Sequence, residues 1–211
     1  MTAGRIIETD ADVTEGLNWL VAQDPRWGNI RDICAPLPLR RRPDGFAQLL
    51  SAIISQQVST ASAAAIWGKL EHANVITEAR VLAAGEDGLR AVGLSRQKIA
   101  YAQALAEADI DYIALRDMPD DEVIKILTAV KGIGVWTAEI YAMFSLGRAD
   151  VFAPGDLALQ VAAADLFGLD ARPSEKELRA MSLHWSPWRS VAARALFAYY
   201  RVVKGREGIK T

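Results

Sequence analysis

Residues 123–144 read VIKILTAVKGIGVWTAEIYAMF, and the fold follows from how that run divides. Val123, Ile126, Leu127 and Val130 recur at helical spacing, and so do Trp136, Ile140, Met143 and Phe144 beyond Gly132-Ile133-Gly134. The period is helical on both sides, so the run is two amphipathic helices joined by a tight turn. Pro119-Asp120-Asp121-Glu122 sets a proline and three acids at the start of the first helix, where they suit its dipole. Gly132 and Gly134 permit positive φ and bare the backbone. The N–H groups opening the second helix can then accept a phosphate. Ile133 is expected to tuck under as an apolar anchor, and Lys131 serves as a phosphate contact or as solvated surface. A plain helix–helix turn has the same spacing, so the turn by itself leaves both readings open.

The same period extends outward. Phe46, Leu49, Leu50, Ile53 and Ile54 form one helical stripe. Ser59 is placed to cap an alanine-rich helix to about His72, and Ser95 one to about Ala108. A shorter helix is expected over 77–84. Asp156 heads a helix to Phe167, and Ser174 with Glu177 fits a capping box. Ser186-Pro187 opens a final helix with the stripe Val191, Ala195, Ala198, Tyr199 and Val202, stopping at Gly205. No stretch alternates with period two long enough to make a sheet. The fold class is all-α.

The bulk properties exclude several classes. The chain has 211 residues, 51% hydrophobic and 24% charged, as in ordinary globular proteins. No apolar run reaches the ~18–20 residues of a membrane helix, and the N-terminus lacks a secretory h-region. The single cysteine, Cys34, excludes an internal disulfide and a four-cysteine iron–sulfur cluster. His72 and His184 lack metal-ligand spacing. The net charge of −2 speaks mildly against a nucleic-acid partner. Basic residues nevertheless gather at Arg40, Arg41 and Arg42, at Lys125 and Lys131, and along Arg189, Arg194, Arg201, Lys204, Arg206 and Lys210. Each cluster reads equally as a solvated face. A cytoplasmic location is expected, nucleoid-associated in a bacterium.

Three blocks carry a family resemblance. Residues 127–156, LTAVKGIGVWTAEIYAMFSLGRADVFAPGD, resemble the signature segment of helix-hairpin-helix (HhH-GPD) DNA glycosylases. Residues 46–59, FAQLLSAIISQQVS, resemble the helix and minor-groove loop of the alkylated-base branch, the 3-methyladenine DNA glycosylase II type. Residues 185–190, WSPWRS, resemble that branch's entry to the last helix. In the family a catalytic aspartate close behind a proline follows the hairpin by a little over twenty residues. Asp156 lies 22 residues after Gly134, with Pro154 two before it.

The resemblance implies two helical subdomains flanking a DNA-binding cleft: 44–146 with the minor-groove loop and hairpin, and 1–43 together with 147–211 carrying the aspartate. Roughly 40 residues before the first block leave no room for the extra β-rich domain of some relatives. The implied partner is double-stranded DNA containing damaged bases, bound by a monomer. Gln56, Gln57, Val58 and Ser59, with Lys131, Gly132, Ile133 and Gly134, are the implied DNA contacts. Gln57 takes the place of the residue that fills the hole left by a flipped base, where some relatives have leucine. Trp136, Ile140 and Phe197 match base-pocket positions; ordinary core is the alternative for each. The backbone carbonyls of Thr128, Val130 and Ile133 match a sodium or potassium site that bridges to a phosphate. No other cofactor is expected.

The chemistry follows from the residue types. Breaking an N-glycosidic bond builds positive charge on the sugar, and a carboxylate stabilises it. Asp156 suits that role, although an N-cap alone would also account for it. Bifunctional relatives carry a lysine nucleophile at position 136; here Trp136 stands there, so water is the expected nucleophile and an abasic site the product. An indole face also attracts a cationic alkylated purine such as 3-methyladenine or 7-methylguanine. A non-catalytic DNA clamp and a glycosylase for other damaged or mismatched bases are the competing readings.

Overall fold

The computed structural model describes residues 3–203 and Gly205. Among them the regular structure is eleven α-helices and two 3-10 turns, with a lone antiparallel bridge between Ile6 and Arg148. In chain order the helices are α1 Asp10–Gln23, α2 Trp27–Cys34, α3 Phe46–Ser55, α4 Thr60–His72, α5 Glu78–Ala91, α6 Arg96–Glu107, α7 Asp120–Thr128, α8 Val135–Phe144, α9 Leu157–Phe167, α10 Glu175–Ser182 and α11 Arg189–Val203. None is long and apolar enough to cross a membrane. Lys204, Arg206 and Lys210 of the basic tail lie outside the described residues.

The chain forms two compact units: Arg42–Tyr141, and the residues up to Arg41 with those from Ala142 onward. The first cut falls inside the arginine run, after Arg41, two residues before the expected 43. The second falls within α8, earlier than the expected 146. The last turn of that helix belongs with the second unit because Phe144 packs on Phe197 at 6.2 Å and the Met143 carbonyl accepts from Arg194.

In the first unit, α3 buries its whole stripe, Phe46, Leu49, Leu50, Ile53 and Ile54, and packs on α4 and α6. The expected caps form: the hydroxyls of Ser59 and Ser95 accept from the backbone of Ser62 and Lys98. The helix expected over 77–84 instead continues to Ala91. Gly85, at φ +59, breaks the helical path there, and a second helical stretch resumes beyond it.

In the second unit, Trp27, Phe152, Phe167 and Trp185 pack their rings at 5.2–5.7 Å beside α9 and α11. The capping box at Ser174 and Glu177 forms. Helices α1 and α2 were not expected from the sequence, whose reading assigned no helix before residue 46. The signal was present: Val13, Leu17 and Leu20 sit at helical spacing, and Thr9 caps α1 with Asp12 returning to its backbone. The last helix begins at Arg189 rather than at Ser186-Pro187. The Ser186 hydroxyl is committed to Asp150 at 2.7 Å, so it does not cap.

Candidate active site

In the first unit the hairpin turn lies between α7 and α8. Gly132 is at φ +98, and a Cβ there would sit 2.4 Å from Cγ of Tyr101, so both the conformation and the space demand glycine. Gly134 does not use the freedom a glycine has: it has no positive φ, and nothing lies within 4 Å of where its Cβ would be. Its lack of a side chain leaves open space in front of the backbone that opens α8. Ile133 is buried and Lys131 exposed. The Val130 carbonyl accepts from the Ile133 N–H at 3.0 Å.

The loop after α3 meets this turn. The Gln56 amide donates to the Gly132 carbonyl at 2.9 Å, which ties the two loops together. Gln57 is exposed at φ +56, a left-handed conformation unusual for a residue with a side chain. Val58 beside it is 38% exposed, and Ser59 is taken up by its cap. Lys98 on α6 is buried and donates from Nζ to the Ile54 carbonyl at 2.5 Å. Burial pushes its ammonium below the ordinary lysine value. Gln56, Gln57, Gln97, Lys98, Tyr101 and the hairpin glycines line an open groove of about 360 Å³. The sequence reading missed Lys98, Tyr101 and Gln97, since nothing local marks a helix residue as facing a loop more than thirty positions away.

Trp136, the second residue of α8, is 40% exposed. A tryptophan in ordinary core would be buried, so that alternative falls. Ile140, one turn on, is partly buried. Both stand on one face of α8.

In the second unit Asp156 caps α9. Its Oδ1 accepts from the backbone of Ala158 at 2.8 Å and of Leu159 at 3.3 Å, and the residue is 8% exposed. The segment leading to it is held at several points. Ile7 N–H donates to Gly147 O and Ala149 N–H to Arg5 O. Asp150 takes a two-pronged bond from Arg189 at 2.8 and 3.0 Å. Gln160, buried, donates to the Pro154 carbonyl at 2.8 Å, two residues before Asp156. A carboxylate so fixed meets developing positive charge with little reorganisation.

Two expectations change here. Phe197 is 3% exposed, packed against the tilted ring of Phe144 and covered by the Arg40 guanidinium at 5.5 Å, so its burial favours core over pocket. Of the basic tail, Arg189 and Arg194 are not a solvated face. Arg194 is fully buried and donates to the carbonyls of Leu39, Ser190 and Met143 and to the Ser190 hydroxyl. Burial, then Arg40 and Arg41 nearby, lower its proton affinity, and it remains a cation at neutral pH.

An all-helical fold with a hairpin turn and a capped, buried aspartate defines a class, and the comparisons agree. The family model described as HhH-GPD superfamily base excision DNA repair protein matches residues 50–187, and the chain belongs to that superfamily. It is a base-excision DNA glycosylase. The alkylbase DNA glycosidase-like protein mag2 of Schizosaccharomyces pombe is 26% identical over 87% of this chain and 92% of its own. The crystal structure of a DNA-3-methyladenine glycosidase from Bacillus halodurans superposes with a TM-score of 0.81 at 32% identity, over 96% of this chain and 95% of that one. A 3-methyladenine DNA glycosylase of S. pombe, solved in complex with abasic DNA, gives 0.76 at 28%, over 90% and 97%.

Proposed function

We propose that the enzyme removes alkylated purines, 3-methyladenine and 7-methylguanine among them, from double-stranded DNA by hydrolysis, leaving an abasic site. The observation that carries this is the pairing of residue types: an exposed indole at Trp136, where a lysine nucleophile would stand, and a carboxylate anchored at Asp156. The hairpin backbone takes a phosphate, Gln57 enters the helix where the damaged nucleotide leaves it, and the extruded base stacks on Trp136. An alkylated purine carries positive charge, so it is drawn to a π face and is already a good leaving group. As the glycosidic bond breaks, the Asp156 carboxylate stabilises the charge that grows on the sugar, and water adds to it.

A sodium or potassium ion suits the hairpin carbonyls of Thr128, Val130 and Ile133. The Val130 oxygen already accepts one N–H, which leaves its second lone pair for a cation. Such an ion would supply a bridge to a DNA phosphate.

Asp156→Asn tests the reading, because asparagine still caps a helix and keeps the local fold. Excision from methylated DNA is expected to fall by at least about a hundredfold with affinity for abasic-site DNA kept. Full activity in the variant would remove Asp156 from the chemistry. Borohydride added during turnover of the unaltered enzyme is expected to trap no protein–DNA adduct; efficient trapping would mean an amine attacks the sugar.

A further inference from the structure

We propose that Lys98 is a positioning residue: from α6 it fixes the end of α3, and so the place from which Gln57 reaches into DNA. The proposal rests on Gln57 being the inserted residue. Three contacts carry it. The buried Lys98 ammonium meets the Ile54 carbonyl at 2.5 Å, one residue before α3 ends at Ser55. The last carbonyls of a helix lack partners within it and carry partial negative charge, so a cation there binds firmly, and more so where water is scarce. Two residues beyond Ile54, Gln56 is pinned to Gly132. One turn along α6 from Lys98, on the same face, the Tyr101 ring packs against Gly132, its hydroxyl held by Gln97 at 2.7 Å.

Helix α6 thus braces both loops, the one that presents a side chain through Lys98 and the one that presents backbone through Tyr101. Gln56 joins them and closes the frame. Gln57 is exposed and left-handed, so the loop holds it in an unfavoured conformation, which requires the residues before it to be fixed. A lysine buried against a backbone carbonyl gives up solvation and rotamer freedom that surface exposure would keep. That arrangement makes sense where the end of α3 has to be placed accurately.

The test uses the full chain and a duplex with 2-aminopurine opposite a tetrahydrofuran abasic analogue, whose fluorescence rises when a side chain enters the stack. Lys98→Met is expected to bind undamaged duplex within about twofold of the unaltered protein, since the hairpin is intact. Its fluorescence rise should shrink at least about fivefold, and kcat for excision should fall about tenfold with KM little changed. Lys98→Arg, which keeps a cation in reach of the carbonyl, is expected to recover at least half of both. A full fluorescence rise in Lys98→Met overturns the proposal, as does a loss that Lys98→Arg leaves unrepaired. Should Lys98→Met not fold, Lys98→Gln decides, since it keeps a polar end but loses the charge and the reach to Ile54: it must shrink the rise while still binding duplex, and a full rise overturns the proposal. Unaltered protein that raises the fluorescence yet releases no alkylated purine would defeat the substrate reading and leave this one standing.

Discussion

Two loops of the first unit turn through a left-handed residue, and they use opposite residue types. At the hairpin it is Gly132, φ +98, with the Tyr101 ring where a side chain would go. After α3 it is Gln57, φ +56, with its side chain in solvent. Glycine stands where the chain presents only backbone, as suits a phosphate contact. Glutamine stands at the second, as the proposed insertion into DNA would require, and its left-handed backbone costs about 1–2 kcal/mol that glycine would avoid.

Gly132→Ala strikes the comparison hardest. It adds a methyl 2.4 Å from Tyr101 in a conformation alanine resists, and roughly 3 kcal/mol of stability should go. A thermal melt should show Tm lower by roughly 6–12 °C. Tyr101→Ala in the same chain should recover part of that, and a purely additive pair would mean the ring is not what excludes a side chain. Gln57→Gly separates stability from function. Glycine's added chain entropy, about 0.5–1 kcal/mol, is smaller than the left-handed cost it removes, so Tm should hold or rise slightly. Excision should still fall about tenfold, and if it does not, Gln57 is not the residue that enters the duplex. Gly134→Ala should be mildest for the fold, within about 1 kcal/mol, because the added methyl meets open space at the start of α8. Affinity for undamaged duplex should nevertheless drop several-fold, as the methyl takes up room the phosphate needs. Unchanged affinity would separate the hairpin from phosphate binding.

Gly134 also shows where reading the sequence stopped. The sequence reading treated both hairpin glycines alike, as permitting positive φ; only Gly132 adopts it, and Tyr101, 31 positions earlier, is part of what demands glycine there. Trp136 and Phe197 were both matched to a pocket, each with ordinary core as the alternative. The first is exposed on α8, the second buried between Phe144 and Arg40. Nothing within a few residues of either separates them.

What the sequence determined by itself is what neighbouring residues settle. The helix periods, the caps at Ser59, Ser95 and Ser174, the aspartate heading α9 and the turn between α7 and α8 all depend on contacts three or four residues apart. Local hydrogen bonds and apolar spacing suffice there. Tertiary structure alone decided the conformation of Gln57, the ring over Gly132, the ammonium at Ile54, the buried Arg194 and the Gln160 bond that secures the approach to Asp156. Most of these join residues tens of positions apart, as Lys98 joins Ile54 across 44 and Arg194 joins Leu39 across 155. A buried polar group is tolerated only with a partner, and which partner it finds is settled when the helices pack.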